Sequence, residues 1–463
     1  VDRVQVSQCL NFQTLAHLNS INRYDDYHPL MDTEDILMVG EEKTYELIDK
    51  MFASLSESVK SRTIHIGMDE AFNLGLGNYL KKNGYREKSE ILLEHLNRVY
   101  EIAKKYNYSC EIWADMFFRL AKGSDFDESG VVPDEIKGLV PEGVRLVHWS
   151  YGKLPDDVLR DRLETVKAIT GSASFAGCAW KSMGLAPNNV YSIARMERQF
   201  ALCRETGIDS YMVTVWSDGG AHCSTFAVLP SLFAASEFAK GKSAAEIDKE
   251  RFREITSLDY DSFMLLDYLN DPFQKNILAD QFNCRCYWGL LTDLLIPYYD
   301  AFISEGSNEA YARLAKQYEA VDAGEYQLIF NNYINMSRVL SIKMNLSQMI
   351  RKAYKAGDKA LLEQYATKEI PQMIAYMETY IEDFEKFWLW ENMAYGLEVH
   401  HHFDGGLIIR WKSVARRLID HVQNGTLIEE LEHEALRPNL PPTCTEDTCF
   451  EMNYHNIISF CGI

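Results

Sequence analysis

Two periods alternate through the first 242 residues, and this alternation constrains the fold more than any other feature. Short β-branched and apolar runs stand at 4–10, 63–66, 110–113, 144–149, 172–178 and 210–216. Between them, at 41–55, 89–105, 155–169 and 194–206, apolar residues recur at three and four positions, as on one face of a helix. Val99, Ile102 and Ala103 share such a face, with Arg98, Glu101 and Lys104 turned outward. Strand–helix repetition of this kind specifies a parallel sheet covered by helices. Six units can be counted, whereas a closed barrel needs eight. The expected class is therefore α/β over residues 1–242, a parallel sheet of a β/α barrel or a doubly wound enzyme.

From about Ser243 the texture changes. No proline falls between Pro297 and Pro371, and Tyr311, Leu314, Tyr318 and Val321, then Ile329, Tyr333, Met336, Leu340 and Met344, follow the helical period. This predicts an all-α domain over 243–435. Residues 436–463, with Pro438, Pro441 and Pro442, read as a tail or small appendage. A length of 463 residues allows two to four domains. The chain opens on Val1 inside a strand-like run, so its natural N-terminus is expected to lie upstream.

Composition removes several classes of partner. A formal charge of −21 argues against nucleic acid and anionic membrane, which both require a basic footprint. No apolar run reaches the ~20 residues needed to span a bilayer. An acidic surface suits a cytoplasmic enzyme. Cys9, Cys110, Cys178, Cys203 and Cys223 sit singly in apolar stretches and are expected to be buried free thiols. Cys284 and Cys286 are too close for the usual metal pair, and Cys444 with Cys449 lacks a second half. His400, His401 and His402 cannot all face one ion from a helix or strand, so a surface patch is expected, and neither metal nor organic cofactor is implied.

Chemistry collects where the strand-like runs end. The run Thr63-Ile64-His65-Ile66-Gly67 delivers two adjacent carboxylates, Asp69 and Glu70, ahead of a glycine-rich turn at Gly75 and Gly77. Acids at the C-terminal end of a buried strand contribute nothing to stability and occupy the active-site mouth of β/α enzymes. The other runs lead into Gln13-Thr14-Leu15-Ala16-His17, Trp113-Ala114-Asp115, His148-Trp149-Ser150-Tyr151, Ala179-Trp180-Lys181 and Trp216-Ser217-Asp218. Any one Trp at a strand end is as much core as ligand contact. Four together beside carboxylates are the composition of a carbohydrate pocket, where indoles stack on sugar C–H faces and acids bond hydroxyls. His65, inside its strand, reads as a satisfied buried histidine, and His17 is open to either reading.

His65-Ile66-Gly67-Met68-Asp69-Glu70 matches the H-x-G-x-D-E signature of glycoside hydrolase family 20, the β-N-acetylhexosaminidases. With the motifs at 13–18, 113–118, 176–181 and 213–218, the chain resembles the branch of intracellular β-N-acetylglucosaminidases of streptococci and related bacteria, in which a helical domain follows the barrel. The resemblance implies exo-hydrolysis of terminal β-linked N-acetylglucosamine, or N-acetylgalactosamine, with no cofactor. It implies a retaining mechanism in which the substrate's own acetamido oxygen is the nucleophile. Glu70 would be the general acid, kept protonated by burial beside a second carboxylate. Asp69 would orient the acetamido group and stabilise the oxazolinium. His17, Trp113, Asp115, Trp149, Trp180 and Trp216 would line the pocket, Asp218 would bond outer hydroxyls, and Tyr151 would bond the acetamido oxygen. A homodimer formed through the helical domain is implied as well.

The chain departs from the family pattern in places. The resemblance implies a (β/α) TIM-type barrel over residues 1–242 that lacks its first strands in this chain, since the first strand-like run corresponds to the family's third strand. No residue matches the arginine that the family's first strand supplies. Phe72-Asn73 stands where a histidine-containing pair is usual, and His222 where a Glu often follows Trp-x-Asp. Two other functions fit the same residues. One is a glycosidase with Asp115 or Asp218 as a protein nucleophile opposite Glu70. The other is a catalytically silent sugar-binding protein.

Overall fold

A computed structural model describes residues 10–122, 138, 140–182, 184–218, 220–273, 285–296, 300 and 303–433. The strand-like run at 4–9, the thiols of Cys9, Cys284, Cys444 and Cys449, and the segment 436–463 lie outside the described residues. The chain forms two compact units. One comprises 1–178, 195–214 and 236–243; the other comprises 179–194, 215–235 and 244–463. The division thus does not fall at a single point near Ser243.

In the first unit, strand and helix alternate as β1 (Leu10–Asn11), α1 (Glu42–Ser58), β2 (Thr63–His65), α2 (Asn78–Asn83), α3 (Lys88–Lys105), β3 (Ser109–Trp113), α4 (Asp115–Lys122), β4 (Val144–Trp149), α5 (Asp156–Thr170) and β5 (Ala173–Cys178), followed by α6 (Asn189–Glu205), of which 195–205 belong to this unit, and β6 (Ser210–Thr214). The six strands form one sheet in sequence order, every neighbouring pair parallel. Each crossover therefore returns the chain beside the strand it left, as barrel winding requires and a doubly wound sheet does not.

The period-2 pattern decides which side chains face which way. On β3, Cys110 and Ile112 alternate with Glu111 and Trp113. The Glu111 carboxylate accepts a 2.8 Å hydrogen bond from Ser174 on β5, and Ser174 also donates to Ser210 at the start of β6. Trp113 follows Glu111 on this face and packs on His65, which is paired in register with Glu111. Against the other side, α1 buries Tyr45, Ile48 and Phe52, one stripe at helical spacing. Helix α5 ends at Gly171, whose φ of 71° gives the left-handed cap that glycine adopts without a Cβ clash.

In the second unit the principal helices are Ser307–Glu319, Gln327–Lys355, Ile370–Glu391 and Leu397–Asn424. Tyr311, Leu314, Tyr318, Ile329, Tyr333, Met336, Leu340 and Met344 are buried, as their spacing predicts, whereas Val321, beyond the end of its helix, is only half-buried. Pro371 lies in the first turn of its helix, where the missing N–H has no helical partner to lose. The histidine run corrects one expectation. His400 is not on a surface patch: it is buried, with its Nδ1 3.0 Å from Nε2 of His222, while His401 and His402 are exposed. Helix periodicity is the cause, because His400 shares the buried face of Leu397, Asp404, Ile408 and Trp411. Cys110, Cys178, Cys203, Cys223 and Cys286 are buried free thiols.

Candidate active site

The carboxylate pair sits on an unusual backbone. Past the end of β2, φ is +73° at Gly67, +69° at Met68 and +51° at Glu70, and His17 on the loop after β1 has φ +57°. Three side-chain-bearing residues of one site are therefore left-handed, a conformation that costs roughly 1–2 kcal/mol each for L-residues. Strain of this kind persists only where surrounding contacts enforce it, and it gathers at functional sites. Gly67 shows how close those contacts are. A Cβ built there would lie 2.0 Å from Oε1 of Gln13 and 2.7 Å from its Cδ.

Gln13 is the residue that the sequence reading passed over. Its Nε2 donates to Asp69 Oδ1 at 2.9 Å, and its Oε1 accepts the Met68 N–H at 3.3 Å. The signal was its place at a strand end, opposite the glycine of the signature. The other oxygen of Asp69, Oδ2, faces Nε2 of His17 at 3.3 Å, and the same nitrogen is 3.6 Å from Oε2 of Glu70. Hydrogen bonding to Asp69 outweighs partial burial and, with the charge of Glu70, pushes His17 up to about 8. The imidazole is thus a cation at neutral pH, shared by the two carboxylates. Glu70 departs from expectation in its burial: its side chain is 42 % exposed.

Asp115 opens α4, is buried, and accepts the Glu70 N–H on Oδ2 at 3.0 Å. It grips the backbone of the acid instead of pointing into solvent. Trp113 likewise serves as floor. It is 1 % exposed, its N–H donates to the Gly67 carbonyl at 3.3 Å, and its ring centroid is 4.1 Å from that of His65. His65 Nδ1 accepts the Gly67 N–H at 3.1 Å, and burial pushes the imidazole down to about 3, so it is neutral. Only this one nitrogen is satisfied; Nε2 has no hydrogen-bond partner among the described residues. At the end of β4, Trp149 and Tyr151 stack with centroids 5.1 Å apart, both part-exposed.

Two buried residues hold the surrounding loops. Asp32 accepts three backbone N–H groups, from Gly75 at 2.7 Å, Gly77 at 3.1 Å and Tyr79 at 2.7 Å, and so shapes the glycine-rich turn after the acids. His95 on α3 donates from Nε2 to the Thr14 carbonyl at 2.8 Å, and Thr14 donates through Oγ1 to the Ile66 carbonyl at 2.7 Å. The loop carrying Gln13 and His17 is thereby tied to the strand carrying Asp69 and Glu70.

Trp180, Trp216 and Asp218 belong to the second unit. Trp180 is buried, and its N–H donates to Ser192 Oγ at 2.9 Å. Trp216 is part-exposed and Asp218 exposed. Lys181 beside them donates to Ser217 Oγ at 2.7 Å and to the Cys223 carbonyl at 3.0 Å, fixing the loop that carries Asp218.

A parallel sheet with paired carboxylates at a strand end is the arrangement of a glycoside hydrolase, and the chain belongs to glycoside hydrolase family 20. The catalytic domain of glycosyl hydrolase family 20 matches residues 13–150, and the glycoside hydrolase 20C C-terminal domain matches 261–448. No curated protein matches the chain. Among solved structures it is similar to the N-acetyl-β-hexosaminidase of Streptomyces plicatus in complex with thio-NAglucal, at 15% identity and TM-score 0.33, over 53% of this chain and 48% of that one. It is also similar to the chitobiase of Flavobacterium johnsoniae, at 12% identity and TM-score 0.35, over 81% and 65% of the two chains. Similarity extends to a family 138 enzyme targeting pectin rhamnogalacturonan II, at 8% identity and TM-score 0.34, over 89% and 83%. The chain thus spans about half the length of the Streptomyces plicatus enzyme. Among the described residues no helix is long and apolar enough to cross a membrane.

Proposed function

We propose that the chain is an exo-acting β-N-acetylhexosaminidase that releases terminal N-acetylglucosamine, or N-acetylgalactosamine, from glycans by a retaining, substrate-assisted mechanism. The observation that carries this reading is the way Asp69 is held. Gln13 engages one oxygen of the Asp69 carboxylate and His17 the other, while the Glu70 side chain beside it is part-exposed. A carboxylate fixed at both oxygens suits orientation and charge stabilisation, whereas a protein nucleophile needs an oxygen free to form a bond to carbon. Asp115, engaged with the Glu70 N–H and buried, acts as a positioning residue and is a poor nucleophile for the same reason.

In the first step Glu70 gives its proton to the glycosidic oxygen. The C1–O bond breaks, and the leaving alcohol departs with that proton. The acetamido carbonyl oxygen of the same sugar forms the new bond to C1, giving an oxazolinium ion. Asp69 accepts the acetamido N–H and stabilises the positive charge. In the second step Glu70, now a carboxylate, takes a proton from water while the water oxygen bonds to C1 and the ring opens. His17 holds a further proton 3.6 Å from Glu70 and can return one to it. Trp149 and Tyr151 offer an aromatic wall. Trp180, Trp216 and Asp218 are assigned to the sugar by their motifs alone. The homodimer and the cytoplasmic location form part of the same proposal, and sedimentation of the purified chain tests the former.

The test is hydrolysis of an aryl β-N-acetylglucosaminide beside the plain aryl β-glucoside, for the chain and for Glu70→Gln. Turnover of the first only, lost in the variant and blocked by a thiazoline mimic of the oxazoline, is the expected result. Turnover of both would favour a protein nucleophile. Sugar binding without turnover of either would mark a silent binding protein.

A further inference from the structure

The rim beside the acid carries an exposed aromatic ring that neither the sugar-binding motifs nor the proton chemistry uses. Phe72 lies two residues beyond Glu70 and is 38 % exposed, although Ala71 between them is buried. Its position is fixed from three directions. Its N–H donates to the Glu70 carbonyl at 2.6 Å, closing a tight three-residue turn. Its carbonyl accepts from Lys88 Nζ at 2.6 Å. The guanidinium of Arg119 lies over its ring, 3.6 Å from the centroid.

Helix α4 links the ring to the acid. Asp115 and Arg119 are one turn apart on that helix, so they project from the same face. Asp115 holds the Glu70 N–H, and Arg119 covers the Phe72 ring. One helix face therefore contacts both groups. A large apolar side chain spends 38 % of its surface in water here while a planar cation stiffens it from one side. Core packing does not require that arrangement. A stacking platform does.

We infer that Phe72, backed by Arg119, is a platform for the sugar on the leaving-group side of the scissile bond, and that the enzyme selects pyranose leaving groups over small alcohols. This rests on the proposed role of Glu70, because an acid that protonates the glycosidic oxygen must face the leaving group. Phe72, two residues beyond Glu70 and anchored to its turn, is the exposed ring beside that acid along the chain. The ligand class is a neutral pyranose, presented by its apolar C–H face to the aromatic ring.

The experiment compares kcat/KM for N,N′-diacetylchitobiose and for methyl β-N-acetylglucosaminide in the chain, in Phe72→Ala and in Phe72→Tyr. Phe72→Ala is expected to lower the disaccharide-to-methyl ratio about 3- to 10-fold, the range of one aromatic stacking contact, and Phe72→Tyr to restore it. An unchanged ratio overturns the platform, and so does an equal fall on both substrates, which would mean that Phe72 acts through the Glu70 turn. Calorimetric Kd values for N,N′-diacetylchitobiose and N-acetylglucosamine, in Glu70→Gln with and without Phe72→Ala, read the same contact without turnover. If the wild-type chain cleaves neither substrate, the hexosaminidase reading fails. The platform then stands or falls on whether Phe72→Ala removes the disaccharide's advantage in binding.

Discussion

Removing the Gln13 side chain isolates what holds Asp69. In Gln13→Ala, Asp69 Oδ1 loses its 2.9 Å donor and the Met68 N–H loses its 3.3 Å acceptor. A hydrogen bond to a charged group is worth about 1.5–3 kcal/mol net, and a long neutral one about 0.5 kcal/mol. If Asp69 stabilises positive charge that exists only in the transition state, the larger of these appears in the barrier. At 1.36 kcal/mol per decade, kcat/KM should fall roughly 10- to 150-fold, mostly in kcat. Gly67→Ala disturbs the same contact from the other side. Its new Cβ would clash with Gln13 Oε1 at 2.0 Å and Cδ at 2.7 Å, and its φ of +73° adds roughly 1–2 kcal/mol of backbone strain.

The two substitutions should therefore not add. With Gln13 already cut to Ala, the clashing Oε1 and Cδ are gone, and of the three nearest atoms the Gln13 Cα remains, at 3.2 Å. Gly67→Ala in that background should cost little further activity and mainly stability. The assay is steady-state hydrolysis of an aryl β-N-acetylglucosaminide for wild type, both single variants and the double, with thermal unfolding of each. A fall below about 3-fold for Gln13→Ala would refute the claim that this bond sets the Asp69 orientation. Strictly additive losses would refute the claim that Gly67 is glycine in order to admit Gln13.

Other outcomes follow from the same geometry. His17 titrates higher in the folded chain, about 8 against 6.5, so its contribution to stability is complete below pH 6.5 and is lost as pH rises through 8. Because it is half-exposed, solvent screening should hold that contribution to about 1 kcal/mol or less. In His17→Asn the change in unfolding free energy between pH 6 and 9 should shrink, and an unchanged pH dependence would exclude the pairing. Asp32→Ala leaves three backbone N–H groups without their acceptor, and the expected loss is about 2–4 kcal/mol in chemical denaturation. A loss under 1 kcal/mol would mean that water replaces the carboxylate. His95→Leu should lower kcat more than it raises KM, since it releases the Thr14 carbonyl that ties the Gln13–His17 loop; an effect on KM alone would contradict this.

The local alphabet was enough for the elements and for the chemistry of the acid pair. Period 2 against period 3.6 marked β2–β6 and the helices α1, α3, α5 and α6 to within about five residues, but not the short α2 and α4, because buried strands and longer amphipathic helices bind their faces to the core through sequence-local spacing. His65-Ile66-Gly67-Met68-Asp69-Glu70 was legible because a strand end, a glycine and two acids are contiguous. Which side chains those acids meet was not. Gln13, His17, Asp32 and Asp115 lie 43 to 56 positions from the groups they hold, and sequence spacing carries no record of such contacts. Tertiary structure also reassigned residues whose type was read correctly. Trp113 became floor because its strand face packs on His65, His400 turned inward with its helix face, and the Glu70 side chain is 42 % exposed. Residue type fixes what a side chain can do, and only the packing around it fixes whether the side chain meets solvent, a neighbour or a substrate.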